Sequence, residues 1–542
     1  MKRTSLLITA LTLPFALAAQ NSYNSAQEAA KAVTVKVDTS REPIHKGKYK
    51  PTWESLSDYE CPTWFRDAKF GIWAHWGPQC QPEYGDWFAR RMYEQGSDAY
   101  TFSKEARNPQ KDFGFKDWIH EWKAENWNPE KLVKLYQECG AKYFFALANH
   151  HDNFDLWDSK YQPWNTTSIG PKKNLIAGWA AACRKLGLPL GLSVHAAHAW
   201  TWYETSRGAD KTGTFKGQKY DGNLTKADGK GTWWDGLDPQ DLYEQRHELS
   251  KNSGEWDWDP AQVTVPDQAY CDRFYNRTMD LINKYDPSVV YFDDTVLPLY
   301  PFSDAGLQLT AHLYNKSMAE NNGRNKMVVT GKVLKDWHKK AIVWDVERGA
   351  PDRIQPLPWQ TCTCIGSWHY DKRHFYNGTY KSAKTVIQTL VDVVSKNGNL
   401  LLSIPVRADG TIDSLEYKVV REIGAWLNVN GESIYGTRPW YQFGEGPSAE
   451  AVNPIAEQGF NEGKVKYTSA DIRYAIKGKT IYATTLDVPQ AGATVKLKAL
   501  LKAHRVTLLG YGKVAFKSSK QGLSITLPHA LPNRIALVMK IE

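Results

Sequence analysis

The chain is poor in sulfur, has no dense run of one charge, and has no apolar stretch long enough to cross a bilayer. Each shortage excludes a class. Seven cysteines in 542 residues do not make a disulfide scaffold, and an odd number leaves at least one thiol unpaired within a monomer. Cys362-Thr363-Cys364 is too tight a pair for a usual zinc knuckle, and no second C-x-x-C accompanies it. The net charge of +9 is spread along the chain. With no basic cluster or nucleic-acid motif, it argues against a nucleic-acid partner. The apolar run Leu6 to Leu17 is too short for a membrane span, so membrane insertion is not expected. Preceded by Lys2 and Arg3 and ending in Ala16-Leu17-Ala18, it reads as an export signal over residues 1–19. Its removal would leave a net charge of about +7. No cysteine follows it, which argues against a lipid anchor. The expected location is periplasmic or extracellular; oligomeric state stays open.

What the chain has in excess is aromatic surface: 23 Trp, 28 Tyr and 18 Phe. Indole rings offer broad apolar faces with one polar N–H, which suits the C–H face of a sugar, though large barrels and sandwiches also bury many such rings. Residues 20–54 are polar and rich in Lys, Ala and Ser, and are expected to form a loosely held leader. From 55 to 438, short apolar runs alternate with helical stretches. The runs are Phe70 to His75, Tyr143 to Asn149, Leu188 to His195, Val289 to Asp293, Met327 to Thr330, Ile342 to Glu347, Thr361 to Ser367 and Asn399 to Ile404. Eight buried parallel strands with intervening helices predict an α/β, TIM-like (β/α)8 barrel, with too little chain between strands five and six for a full helix. Residues 204–256 interrupt the pattern after strand three, either as a wall of the catalytic face or as a plain surface loop. Residues 439–542 show strand-like runs, such as the alternating Val495 to Ala499, and predict a C-terminal β-sandwich.

Barrel enzymes carry their reacting groups at strand C-terminal ends. Those ends hold His75, His150-His151-Asp152, His195 and His198, Asp293-Asp294, and Glu347, with Trp368 after strand seven, where it could stack on a sugar or pack internally. Two chemistries could use the set. One is metal-assisted hydrolysis with His and Asp ligands. The other is glycosyl transfer to water by a carboxylate pair. Strand one reads Trp73-Ala74-His75 and lacks the His-x-His of many barrel metal sites, while Asp293 and Glu347 sit on separate strands. The sugar reading is therefore the stronger one, with no metal or cofactor.

At this point the residues resemble a known family, glycoside hydrolase family 29, the retaining α-L-fucosidases. Trp64 to Pro78 (WFRDAKFGIWAHWGP) is similar to its opening barrel motif. Asp86-Trp87-Phe88 is similar to a Glu-Trp-Tyr segment, and His150-His151-Asp152-Asn153-Phe154 to a His-His-Asp-Gly-Phe motif with Asn153 in the Gly place. Asn397 to Leu402 and Trp426 to Thr437 resemble the closing strand and exit helix, so the likeness covers roughly residues 60 to 440.

The resemblance implies a nucleophile at Asp293, in Tyr291-Phe292-Asp293-Asp294, with Asp294 in reserve. It implies sugar contacts at His75, Asp86, Trp87, His150 and His151. The family's acid/base is not kept at one place. Trp344-Asp345-Val346-Glu347 matches one version, and the other, Trp-Glu-x-Cys, here reads Trp359-Gln360-Thr361-Cys362. An amide cannot shuttle a proton near neutral pH, which points to Glu347; Asp345 lies deeper in the strand. His195 stands in a strand that is usually Tyr-rich and could replace a hydroxyl donor. The implied activity is exo-acting removal of terminal α-L-fucose from an oligosaccharide or glycoconjugate, with the two carboxyls about 5–5.5 Å apart. An α-L-galactosidase and a catalytically silent carbohydrate-binding protein are the alternatives.

Overall fold

The computed structural model describes residues 23–107, 113–455, 459–499 and 502–542; the expected export signal lies outside them. Eight parallel strands close into a barrel: β1 (Phe70–Ala74), β2 (Phe144–Asn149), β3 (Leu190–Val194), β4 (Val289–Thr295), β5 (Val328–Lys332), β6 (Val343–Glu347), β7 (Trp359–Cys364) and β8 (Gly398–Ser403). Buried on both faces, they read as continuous apolar runs. Alternate residues point inward, where Trp73, Tyr143, Phe145, Val289, Tyr291, Val328, Val343 and Leu401 form one cluster that fills the bore. Two glycines make room for it. A Cβ on Gly71 would lie 2.3 Å from the Tyr143 ring, and one on Gly191 2.6 Å from Phe145.

The outer ring is incomplete in two places. The β5–β6 connection carries only a 3-10 turn, His338–Lys340, as its length predicts. Residues 348–358, between β6 and β7, also form no helix. Elsewhere long amphipathic helices cover the sheet, the longest being Gln268–Tyr285, capped by Asp267.

The stretch expected as a loose leader is instead part of the barrel's coat. Residues 26–31 form a helix, Val37, Tyr49 and Trp53 are buried, and Trp53 packs edge-on against Tyr300 and Trp337. Val37 N–H donates to Asp304 and Tyr49 N–H to Asn315, both at 2.9 Å. The polar composition hid these few apolar anchors. All seven cysteines are free thiols. Among the described residues, no helix is long and apolar enough to cross a membrane.

The C-terminal region holds nine strands: β9 (Arg438–Glu445), β10 (Ile472–Lys477), β11 (Thr480–Thr485), β12 (Thr494–Leu497), β13 (Val506–Leu508), β14 (Gly512–Lys513), β15 (Phe516–Ser519), β16 (Gly522–Thr526) and β17 (Val538–Ile541). They form antiparallel sheets ordered β14-β13-β17-β11-β10-β9 and β12-β16-β15. The two share a core of Tyr474, Leu497, Leu508, Leu523, Leu537 and Met539, which makes the expected sandwich. The sandwich is pinned to the barrel helix Ala383–Ser395 by a buried ion pair, Arg473 Nε to Asp392 Oδ1 at 2.6 Å, with Lys396 on the second carboxylate oxygen at 2.7 Å. Burial opposes ionisation of Asp392, but Lys396 and Arg473 outweigh it and hold the carboxyl below its usual range. Asp392→Ala should strand two buried cations and cost about 3–5 kcal/mol, read as a lowered urea midpoint. An unchanged midpoint would mean that apolar contacts alone hold the two units together.

Candidate active site

Strand alternation decides which groups face the barrel mouth. On β4, Tyr291 and Asp293 point inward and Asp294 outward. On β5 the inward series is Val328, Thr330 and Lys332, and on β6 it is Val343, Asp345 and Glu347. Three strand ends thus converge on one cluster. Lys332 Nζ lies 2.5 Å from Asp293 Oδ1 and 2.5 Å from Glu347 Oε2. One ammonium touching both carboxylates places those two oxygens within about 5 Å of each other, the spacing that retaining glycosidases use. On its second oxygen Asp293 meets His195 Nδ1 at 2.8 Å and His151 Nε2 at 3.2 Å.

Burial by itself would raise the Asp293 carboxyl. Lys332, His195 and His151 outweigh it and hold the group well below the usual carboxylate range. Lys332 is likewise penalised by burial but is kept cationic by Asp293 and Glu347, which raise it well above an ordinary lysine.

The histidines form a wall beside Asp293. The His75 ring centroid lies 5.1 Å from that of His195, 5.2 Å from His150 and 4.7 Å from His369. Burial pushes His75 and His150 well below the usual imidazole range and His195 down to about 4. Neutral imidazoles can both donate and accept, as sugar hydroxyls require. His195 Nδ1 faces a carboxylate and so carries the proton, leaving Nε2 as an acceptor. Both ring nitrogens of His75 and Nε2 of His195 are buried with no protein hydrogen-bond partner. His75, His150 and His369, and also His150, His151 and His195, lie close enough to hold a metal ion. At the carboxylate pair, however, the cationic position is filled by Lys332.

The loop that carries His150 and His151 is held from behind. Asn153, in the Gly place of the motif, adopts φ +62°, a left-handed conformation that Asn tolerates better than most residues. Its side chain bonds Asp241 O, Leu242 O and Glu244, and accepts from the buried Arg277, which also grips Asp155. His150 Nδ1 is 2.9 Å from Gln79 Nε2, which also donates to Asp152 at 3.1 Å.

Other expected residues take different positions. Asp86 accepts from the backbone N–H groups of Trp368 at 3.1 Å and His369 at 2.7 Å, so it fixes the turn after β7. Trp368 is half-buried, 5.5 Å from Trp73 and 5.6 Å from His75 by ring centroids. Trp87, at φ +60°, lies parallel to Trp256, 6.3 Å away. Trp256, at the far edge of the 204–256 insertion, also packs on His198 at 3.9 Å and His151 at 5.1 Å. This edge of the insertion is therefore a wall of the site. Asp294, the reserve nucleophile, is turned outward and committed to His198 Nε2 at 2.8 Å and to two backbone N–H groups. Asp345 is buried under the site, accepting from Gln360 and Cys362, and burial lifts it to about 6.

Sequence reasoning missed Lys332, His369 and Trp256. Lys332 had a signal: strand five was ended at Thr330, and two more residues carry its inward series to a lysine. His369 adjoins Trp368, and nothing in its spacing marks it. Asp257, next to Trp256, is lifted to about 6 by burial and then by Glu255, and lies 3.4 Å from Thr295.

A closed barrel with paired carboxylates at its mouth and an aromatic and imidazole wall defines the class as a barrel glycoside hydrolase. The family model for alpha-L-fucosidase matches residues 37–432, and that for the alpha-L-fucosidase C-terminal domain matches residues 463–542. The chain belongs to the alpha-L-fucosidase family and is an alpha-L-fucosidase. It is 28% identical over 507 residues to the plasma alpha-L-fucosidase of Pongo abelii, covering 90% of this chain and 92% of that one. It is 26% identical over 501 residues to the tissue alpha-L-fucosidase of Homo sapiens, covering 90% of each. The structure of Thermotoga maritima alpha-fucosidase in complex with fucose superposes with a TM-score of 0.65 at 25% identity, covering 91% of this chain and all of that one.

Removing the cation should expose the like-charge repulsion that it now cancels. In Lys332→Gln the Asp293 carboxyl should titrate at a higher pH than in the wild type. If Asp293 must be ionised for activity, the acid limb of the kcat/KM profile then moves to higher pH. An acid limb that stays in place would mean that Lys332 does not control Asp293.

Proposed function

We propose that the enzyme releases terminal α-L-fucose with retention of configuration, by double displacement between Asp293 and Glu347. The observation that carries this reading is the single ammonium of Lys332 on both carboxylates. Counting charge across the trio shows what it can do. One cation and two carboxylates are neutral when Asp293 is ionised and Glu347 is protonated, which is the state needed for attack and for protonating the departing oxygen. When Asp293 becomes a fucosyl ester it loses its charge, and the trio is neutral again only with Glu347 ionised. That is the state needed to deprotonate water in the second step. The mechanism therefore asks Glu347 to act as acid in the first half-reaction and as base in the second.

His75, His150, His151 and His195 bind the sugar hydroxyls, and Trp87 and Trp368 line the ring's apolar side. Asp86 contributes chiefly by holding Trp368 and His369 in place. The substrate is a fucosylated oligosaccharide or glycoconjugate, met outside the cytoplasm after removal of residues 1–19. The basic start, the apolar Leu6 to Leu17 run and the Ala16-Leu17-Ala18 site support that export.

With an aryl α-L-fucoside, Asp293→Gly and Glu347→Ala should each lose activity, the latter by about 10²–10⁴-fold. Azide should rescue Asp293→Gly as β-fucosyl azide and Glu347→Ala as α-fucosyl azide. Full activity in Glu347→Ala would move proton transfer to another group. A wild type turning over only the L-galactoside would change the sugar and leave the mechanism.

A further inference from the structure

Behind Glu347 the barrel is joined by a strap from the C-terminal region. Gly459 pairs in parallel with Glu347, Phe460 N–H donates to Glu347 O at 2.8 Å, and Glu462 N–H donates to Arg348 O at 2.9 Å. Asn461 closes a pair of hydrogen bonds with the backbone of Ala350 at 2.9 and 3.0 Å. The Glu462 carboxylate takes Thr363 Oγ1 at 2.8 Å and Lys381 Nζ at 2.7 Å. The strap therefore crosses the C-terminal end of β6 with fixed hydrogen bonds on both sides. Position 459 requires glycine, because a Cβ there would lie 2.1 Å from Glu347 O.

Phe460, in the middle of this strap, breaks two rules at once. Its backbone is left-handed, at φ +55°, which a bulky side chain rarely adopts. Its ring is 52% exposed although it belongs to a well-packed protein. The strap falls between the stretches matched by the two family models, 37–432 and 463–542.

We propose that Phe460 is the platform for the leaving-group sugar, stacking its ring on the apolar face of an uncharged pyranose joined to fucose. This rests on Glu347 as the acid/base. The departing oxygen must lie within hydrogen-bond reach of its carboxyl, about 3 Å, so the leaving group occupies the rim on the Glu347 side, where Phe460 is bonded to the Glu347 main chain. From that main-chain anchor the exposed Phe460 can present the broad apolar face that pyranose C–H groups stack on. The C-terminal region thereby acts on leaving-group choice as well as on stability.

The test compares wild type, Phe460→Ala and Phe460→Trp on α-L-fucosyl fluoride, which has no leaving-group sugar, and on a fucosyl-hexopyranose disaccharide. Phe460→Ala should lose about tenfold in kcat/KM on the disaccharide, largely through KM, and stay within about twofold on the fluoride. Phe460→Trp should retain the disaccharide activity. An equal loss on both substrates would show that the strap merely positions Glu347, and no loss on either would remove Phe460 from the subsite; each overturns the proposal. Turnover of the disaccharide by Glu347→Ala at the wild-type rate would instead overturn the acid/base assignment on which the subsite rests.

Discussion

The catalytic face is organised by the contact of one lysine ammonium with two carboxylates. In water such a trio would be loosely held and screened. At the mouth of a closed barrel, where Asp293, Lys332 and Glu347 are each at most 15% exposed in their side chains, the same charges interact far more strongly. Their geometry comes from adjacent strands of one sheet, because β4, β5 and β6 are neighbours and each ends on an inward-facing residue. A one-residue shift in any of the three would turn its charged end out of the mouth. The trio is therefore as well defined as the barrel itself.

Around this charged centre the protein arranges groups that stay uncharged. Burial favours the neutral form of His75, His150, His151 and His195, and Trp73, Trp202, Trp256 and Trp368 pack against this wall. Its loop owes its shape to Arg277 and the left-handed Asn153, both remote from the reacting atoms. Gln360 plays a comparable part below. Between Tyr143 OH and the Asp345 carboxylate it accepts from one and donates to the other, at 3.0 and 2.7 Å. A carboxylate in its place would oppose Asp345, so the amide suits this floor.

What was legible in the chain follows from what a strand is. Short apolar runs ending in polar residues exposed all eight barrel strands, while the preference for Asp293 over Asp294 came from the family resemblance, with which the inward parity of Tyr291 and Asp293 agrees. The C-terminal sandwich was legible from alternation, as Val495 and Leu497 show. Three parts were not legible because their stabilising contacts lie far apart in sequence. Residues 23–54 look polar, yet are held by Val37, Tyr49 and Trp53 against the segment around residues 300–340. The 204–256 insertion has no periodicity, and Trp256 reaches His198 only through tertiary packing. The strap at 459–462 joins β6 by an isolated bridge more than one hundred residues away in sequence, and it leaves no local pattern.

The aromatic filling of the bore has a consequence for traffic. With Trp73, Tyr143, Phe145 and Tyr291 all but fully buried inside the barrel, the cup has a solid floor and one doorway. A sugar enters, and fucose leaves, through the same opening that the leaving group occupies. The filled bore thus confines all exchange of substrate and product to the face formed by the strand C-terminal ends.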